Sequence, residues 1–260
     1  TPLGVKISLP SLRITETLKK IPALLDEGRR GGLTLAPEVA RDDMREQIRK
    51  PINNDDLYDG AAEAFRRGWR KVKLYFMCGL PGERPADLDG IVEMSERIAR
   101  IGKDVTGRWP EVVASVSNFI PKPHTPYQWN GIHTREYFRW AHKYLRSKVK
   151  VRSVTLKCHD LERSMLEGIL TRGDRRVAAA VEEAWRRGAR LDAWTEHFQP
   201  RLWWSVFDDL GIDLTFYSHR ERPIDEVLPW DHIFIKYGRA YLAKEQTRSV
   251  VQLEAMAEAV

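Results

Sequence analysis

Cysteine is scarce in this chain. There are two in 260 residues, Cys78 and Cys158. They form no CxxC pair, no zinc ribbon and no disulfide framework, so each reads as a small buried hydrophobe. Long hydrophobic runs are missing as well: none approaches the roughly 18 to 20 residues that cross a bilayer, and no charged-then-apolar leader is visible. The expectation is a cytoplasmic protein with no membrane partner. Three signatures of common chemistry are also lacking. Without a P-loop, a GxGxxG fingerprint or a GxSxG elbow, readings as a nucleoside-triphosphatase, a Rossmann dehydrogenase or an α/β-hydrolase have no support.

What is present is the balance of a globular protein, with 42% hydrophobic and 31% charged residues. The length suffices for one large α/β unit or two smaller domains without covalent staples. The net charge of +6 is compatible with nucleic acid or an anionic cofactor, and equally with a solvated basic surface. The chain opens on Thr1 and enters a strand-like stretch at once, which reads as a piece of a longer polypeptide.

Strand and helix signals alternate along the first 158 residues. Strands are predicted at 5–9, 33–36, 72–78, 112–120 and 149–157. Between them lie amphipathic stretches. One is opened by Thr15, with Pro22 interrupting it; one is capped by Asn54 and Asp55 and stopped at Gly68. A third starts at Pro85 and ends at Gly102, and a fourth is capped by Thr134. Four strands leave through a proline beside polar groups: Pro10 with Ser11 and Arg13, Pro37 with Glu38, Pro81 with Gly82 and Glu83, Pro121 with Lys122 and His124. Helices between successive strands predict βα units and a parallel sheet, and right-handed crossovers put these exits on one edge. That edge, at the carboxyl ends of the strands, is where α/β proteins bind ligands. Proline donates no N–H and ends a ladder, and glycine lets backbone approach a ligand closely. From about residue 160 the texture turns helical, in "SMLEGIL", "RRVAAAVEEAWRRGA" and "PRLWWSVFDDLG", and six of the nine tryptophans lie beyond residue 130.

Five segments together, "GLTLAPE", "LYFMCGLPGE", "FIPKPHTPYQW", "LEGILTRGDRRV" and "EVLPWDHI", resemble an uncharacterised radical S-adenosylmethionine (SAM) family whose members often carry a cobalamin-binding-like domain ahead of the barrel. "GLPGE" is shared by much of that superfamily; "LEGILTRGDRR" with "LPWDHI" is far more specific to this family. The resemblance runs from about residue 5 to 245. It implies an α/β fold: an incomplete radical SAM-type (βα) barrel of about four to five parallel strands over residues 1–158, holding the third to sixth strands, with a mostly helical extension at 159–260. It also implies the cofactor-binding positions. Glu83 with Gly79, Pro81 and Gly82 would form the loop that supports SAM, and Glu38 would reach its ribose or amino group. Arg13 would clamp its carboxylate, and Ile120 and Pro121 would lie against adenine. His124, between two prolines, is the candidate acid–base or substrate-facing group.

One departure from the family pattern is informative. The superfamily holds a [4Fe–4S] cluster through CxxxCxxC, three thiolates that leave one iron open for SAM. That motif is absent here, so no metal ligand is expected in this chain, and the cluster would come with a missing amino-terminal part. The resemblance therefore implies the carboxyl-terminal portion of a radical SAM enzyme, inactive alone. It would supply the adenosine pocket and substrate wall for chemistry begun by a 5′-deoxyadenosyl radical, and its partner would be the amino-terminal barrel half or a preceding domain. Cobalamin is a further cofactor the family suggests, and the substrate is a small molecule or RNA. The rival reading is a non-catalytic RNA- or protein-binding module, or one half of a split enzyme. Elsewhere, His159-Asp160 looks like a metal dyad without further ligands, and "RGDRR" (172–176) reads as an internally paired loop or an anion contact.

Overall fold

The computed structural model describes residues 32–258. Arg13, the expected strand at 5–9 and the helix opened by Thr15 lie outside the described residues. Contacts among the described residues form two compact units. One holds residues 32–117, 139–159 and 256–258, and the other 118–138 and 160–255. No helix among the described residues is long and apolar enough to cross a membrane.

The first unit is an α/β assembly on a four-stranded parallel sheet of order β1-β2-β3-β4. Its strands are β1 (Leu33–Glu38), β2 (Lys71–Cys78), β3 (Glu111–Asn118) and β4 (Val154–Cys158). Strands β1 and β2 alternate buried and half-buried residues, whereas the middle of β3 is buried on both faces. That difference lies in the residues: β2 and β3 are both inner strands, but β2 places Lys73, Tyr75 and Met77 between its buried residues, whereas the "VVASV" run of β3 carries no charged or bulky polar side chain. Leu35, Leu74, Phe76, Val112 and Ala114 anchor the core at 0–1% exposure.

Helices α1 (Asp42–Gln47) and α2 (Asn54–Arg66) follow β1, and α3 (Pro85–Thr106) follows β2. Helix α2 is capped not by Asn54 or Asp55, which lie in its first turn, but by Asn53, whose side chain accepts from the Asp56 N–H at 2.7 Å. Proline opens α3, as its fixed φ and missing N–H predict. Gly102 does not end that helix. The chain continues helically to Thr106 and stops at Gly107, whose φ of 72° is the left-handed conformation of a C-cap. Gly102 has a packing role instead: a Cβ there would lie 2.5 Å from Pro110 Cγ and 3.0 Å from the Phe65 ring of α2, so only glycine lets α2 and α3 approach this closely.

Helix α4 (Arg135–Lys148) leads toward β4, which is shorter than the sequence suggests. The amides of Lys150 and Val151 do not join the ladder. Both donate to the buried Glu96 carboxylate of α3, at 2.6 and 3.0 Å, which holds this turn off the sheet.

The second unit is helical. It contains α5 (Leu161–Arg172), α6 (Arg175–Arg186), α7 (Pro200–Asp209), the short α8 (Leu214–Ser218) and most of α9 (Gly238–Glu258). Leu166, Ile169, Val177, Ala180, Trp203 and Phe207 share one core. A second cluster joins Trp129, Leu228, Trp230 and Leu242, so "LPWDHI" anchors α9.

Truncating Leu74, fully buried in β2, should cost about 2–5 kcal/mol. Leu74→Ala is expected to lower the urea midpoint without changing the slope of the transition, whereas Thr155→Ala, exposed on β4, should move it little.

Candidate functional site

Strand β1 does not end at its proline. It continues through Pro37 to Glu38, and the register with β2 shifts between Leu35 and Glu38. A bulge is where a strand tolerates proline, because the residue there need not donate to the ladder. The bulge delivers Glu38 with φ of 67°, left-handed backbone that a residue with a Cβ adopts only at a cost of order 1–3 kcal/mol. Glu38 is half-buried and pairs with Lys50 Nζ at 3.1 Å.

Arg45 of α1 fixes the loop that follows. Its guanidinium is 1% exposed and donates to three backbone carbonyls: Nε to Val39 at 3.0 Å, Nη2 to Ala40 at 2.7 Å, and Nη1 to Ile52 at 2.7 Å. The same group pairs with Asp42 at 3.0 Å and with the Asn54 side chain. Burial is the main influence on Arg45 and lowers its pKa, and the nearby Asp42 opposes that shift.

The exit of β2 is built differently. Cys78 ends the strand, fully buried; Gly79 and Gly82 take φ of 84° and 75°. Glu83 turns back and accepts the Gly79 N–H at 2.9 Å, closing the Gly-Leu-Pro-Gly-Glu loop on its own carboxylate. Burial, with the Glu83 charge nearby, pushes the Cys78 thiol well above its ordinary range, so it stays protonated.

The two exits are braced to each other. Gln47 Nε2 donates to the Pro81 carbonyl at 3.2 Å, Arg41 Nε to the Ala86 carbonyl at 2.7 Å, and Arg84 Nη2 reaches Asp43 at 2.6 Å. Arg84 also pairs with Asp87 in the first turn of α3. The segments bearing Glu38 and those bearing Gly79, Pro81, Gly82 and Glu83 therefore form one cross-linked rim on the carboxyl edge of the sheet. Sequence reasoning found both glutamates and missed Arg45, Arg84 and Gln47, which looked like ordinary surface polar residues.

The remaining candidates lie in the second unit. Ile120 and Pro121 are buried, and His124 has φ of 58°. The His124 N–H donates to Gln128 Oε1 at 3.1 Å, and the indole N–H of Trp230 donates to that same oxygen at 2.7 Å. His124 Nε2 is buried with no hydrogen-bond partner. Arg222 ties this loop to α5: its N–H donates to the Trp129 carbonyl at 2.8 Å, its Nη2 to the Arg172 carbonyl at 2.7 Å, and its guanidinium stands 5.3 Å from the Trp230 ring centre. Arg172 is fully buried and donates to the Ser218 and Arg220 carbonyls at 2.7 Å each. Burial first, then the neighbouring Arg222 and Arg220, lower its pKa to about 10. Three segments singled out in the sequence, around residues 119–129, 166–176 and 227–233, thus meet at Arg222.

Other sequence candidates have local structural duties. Asp160 caps α5 through the Arg163 N–H at 2.9 Å. Asp174 caps α6 and pairs with Arg176, whose guanidinium holds its carboxyl down at about 2. Among the described residues no group of three or more His, Cys, Asp or Glu side chains is arranged to hold a metal ion.

An uncharacterised protein of Methanocaldococcus jannaschii is 26% identical over 210 residues. The match covers 81% of this chain and 45% of that protein, so the chain spans less than half of the relative's length. No family model and no solved structure matches the chain.

Strain at Glu38 gives a direct test. Glu38→Gly removes the left-handed penalty and one half-buried ion pair, and should leave the unfolding free energy unchanged or raise it by up to about 1 kcal/mol, read as an unchanged or higher melting temperature. Glu38→Ala keeps the penalty and loses the pair, so it should be the less stable of the two; the reverse order would show that Glu38 is unstrained.

His142 on α4 gives a second. Burial, with Arg146 and His159 nearby, depresses its pKa from 6.5 to about 4. The unfolded chain then binds the extra proton more readily, so stability should fall as pH drops from about 6.5 toward 4, by on the order of 2 kcal/mol. His142→Gln should flatten that decline in urea unfolding measured across this window.

Proposed function

We propose that this chain is the carboxyl-terminal portion of a radical SAM enzyme, contributing part of an incomplete (βα) barrel whose strand exits receive SAM. The observation that carries the reading is the braced rim on the parallel sheet. Two glutamates and two glycines stand at successive strand exits, with positive φ at Glu38, Gly79 and Gly82, on the edge where α/β proteins bind their ligands.

The residues suit the ligand chemically. Gly79 and Gly82 leave the backbone open to close approach. Glu38 and Glu83 are acceptors for ribose hydroxyls or an ammonium group, and the Arg45 and Arg84 networks hold their loops in place before a ligand arrives. Ile120, Pro121 and His124 enter by resemblance to the family, as adenine-facing residues and as the acid–base candidate. The described residues do not suit an iron–sulfur cluster. Cys78 is protonated and buried, and no three-ligand group is present among them. The cluster belongs in this reading to the amino-terminal part of the complete enzyme, which is also where a cobalamin domain would lie. A cluster beside SAM would supply the electron for its reductive cleavage to methionine and a 5′-deoxyadenosyl radical; the role of this chain would be to bind and orient the nucleoside and to shape the substrate wall.

Calorimetry tests the reading. SAM should bind weakly or undetectably to this chain alone and measurably once the missing amino-terminal portion is supplied. In the complemented protein Glu83→Gln should weaken SAM about ten-fold, the scale of one hydrogen bond to a charged group. Unchanged affinity in that variant would remove Glu83 from the site, and no binding in the complemented protein would overturn the proposal.

A further inference from the structure

Residues 139–159, which lie wholly within the first unit, hold seven lysines and arginines and no aspartate or glutamate. The charge is organised. On α4 the residues Phe138, Ala141, His142 and Leu145 are buried, while Arg139, Lys143 and Arg146 are exposed. At 3.6 residues per turn these three cations fall within roughly 60° of arc on the solvent side. Lys150 and Arg152 in the turn beyond the helix, and Lys157 on β4, are exposed too.

A helix elsewhere in the same chain shows what an ordinary solvated basic face looks like. On α6, Arg186 pairs with Glu182 at 2.5 Å and Arg187 with Glu183 at 2.8 Å, each glutamate four residues earlier. On α4 the positions three and four residues from Lys143 are Arg139, Trp140, Arg146 and Ser147; those around Arg146 are His142, Lys143, Val149 and Lys150. None is a carboxylate; Arg139, the third cation of the stripe, does have one, Glu136, three residues before it. Like charges at these spacings destabilise a helix by a few tenths of a kcal/mol per pair, so the stripe costs stability that α6 avoids. The carboxylate of Asp89 on α3 meets another side of α4, where Tyr144 donates to it at 3.0 Å and Lys148 pairs with it at 3.2 Å. Beside the stripe stands Trp140, 43% exposed, its ring tilted over Tyr144 at 5.3 Å between centres.

We infer that this face of α4 and the turn after it bind single-stranded nucleic acid. The cation stripe would track phosphates and Trp140 would supply a stacking surface, the combination that serves single strands without base-specific readout. The inference does not rest on the SAM reading, because it uses no residue of the strand-exit rim.

The experiment is fluorescence anisotropy with a labelled single-stranded RNA oligonucleotide titrated across a range of salt concentrations. Binding should weaken steeply with salt. Lys143→Gln with Arg146→Gln should weaken it about ten-fold or more at low salt and reduce the log–log salt slope by about one to two. Trp140→Ala should weaken binding and leave the slope unchanged, which separates stacking from charge. Arg186→Gln with Arg187→Gln removes the same number of charges from α6 and should have little effect. Absence of binding at low salt overturns the inference. So does an equal loss in the α6 variant, which would mark net charge alone as the cause, or capture of the chain by anionic lipid vesicles with no binding to RNA.

Discussion

The strand-exit rim depends on one buried guanidinium. Arg45 gathers the carbonyls of Val39, Ala40 and Ile52 at the bulged end of β1 and in the loop that follows, where the Ala40 carbonyl also accepts from the Asn54 side chain at 3.2 Å. A buried arginine is a costly way to satisfy carbonyls unless its donors are well placed, and here the fork meets three of them and the Asp42 carboxylate at ordinary distances. Everything beyond follows from that anchor. Glu38 is held in left-handed backbone, α1 is set where Gln47 and Asp43 reach the next exit, and Arg84 completes the brace.

The second unit repeats the device. Arg172 and Arg222 sit in the interior and satisfy carbonyls from segments far apart in sequence, joining the loop around Trp129, the end of α5 and the stretch beyond α8. In both units an irregular stretch is fixed by a planar cation able to serve several acceptors at once, where a hydrophobic contact would leave backbone polar groups unpaired. This also explains how the irregular "LPWDHI" segment is held against a core containing Trp129 and Trp230.

Much of the first unit was legible because its signals are local. Pro85 opens α3, and alternating or continuous apolar runs mark β1, β2 and β3 where they were expected; the cap of α2 falls on Asn53, one residue before the expected Asn54 and Asp55. The errors have a common cause in tertiary contact. Gly102 looked like a stop because a neighbouring helix that needs a bare Cα is invisible in sequence. Residues 149–153 looked like strand because the carboxylate that captures their amides comes from Glu96, more than fifty residues away. At the site, proline and glycine announced the exits and the two glutamates stood beside them. The groups that position them, Arg45, Arg84 and Gln47, sit on helix surfaces by pattern and become interior or bridging only when β1 and β2 lie side by side.

Cys78 gives the rim a clock. Its thiol is fully buried at the end of β2 and held protonated, so an alkylating reagent reaches it only when the end of β2 comes apart from its surroundings. The rate at which that single sulfur is modified counts those openings, and a molecule seated on the braced edge would lengthen the interval between them.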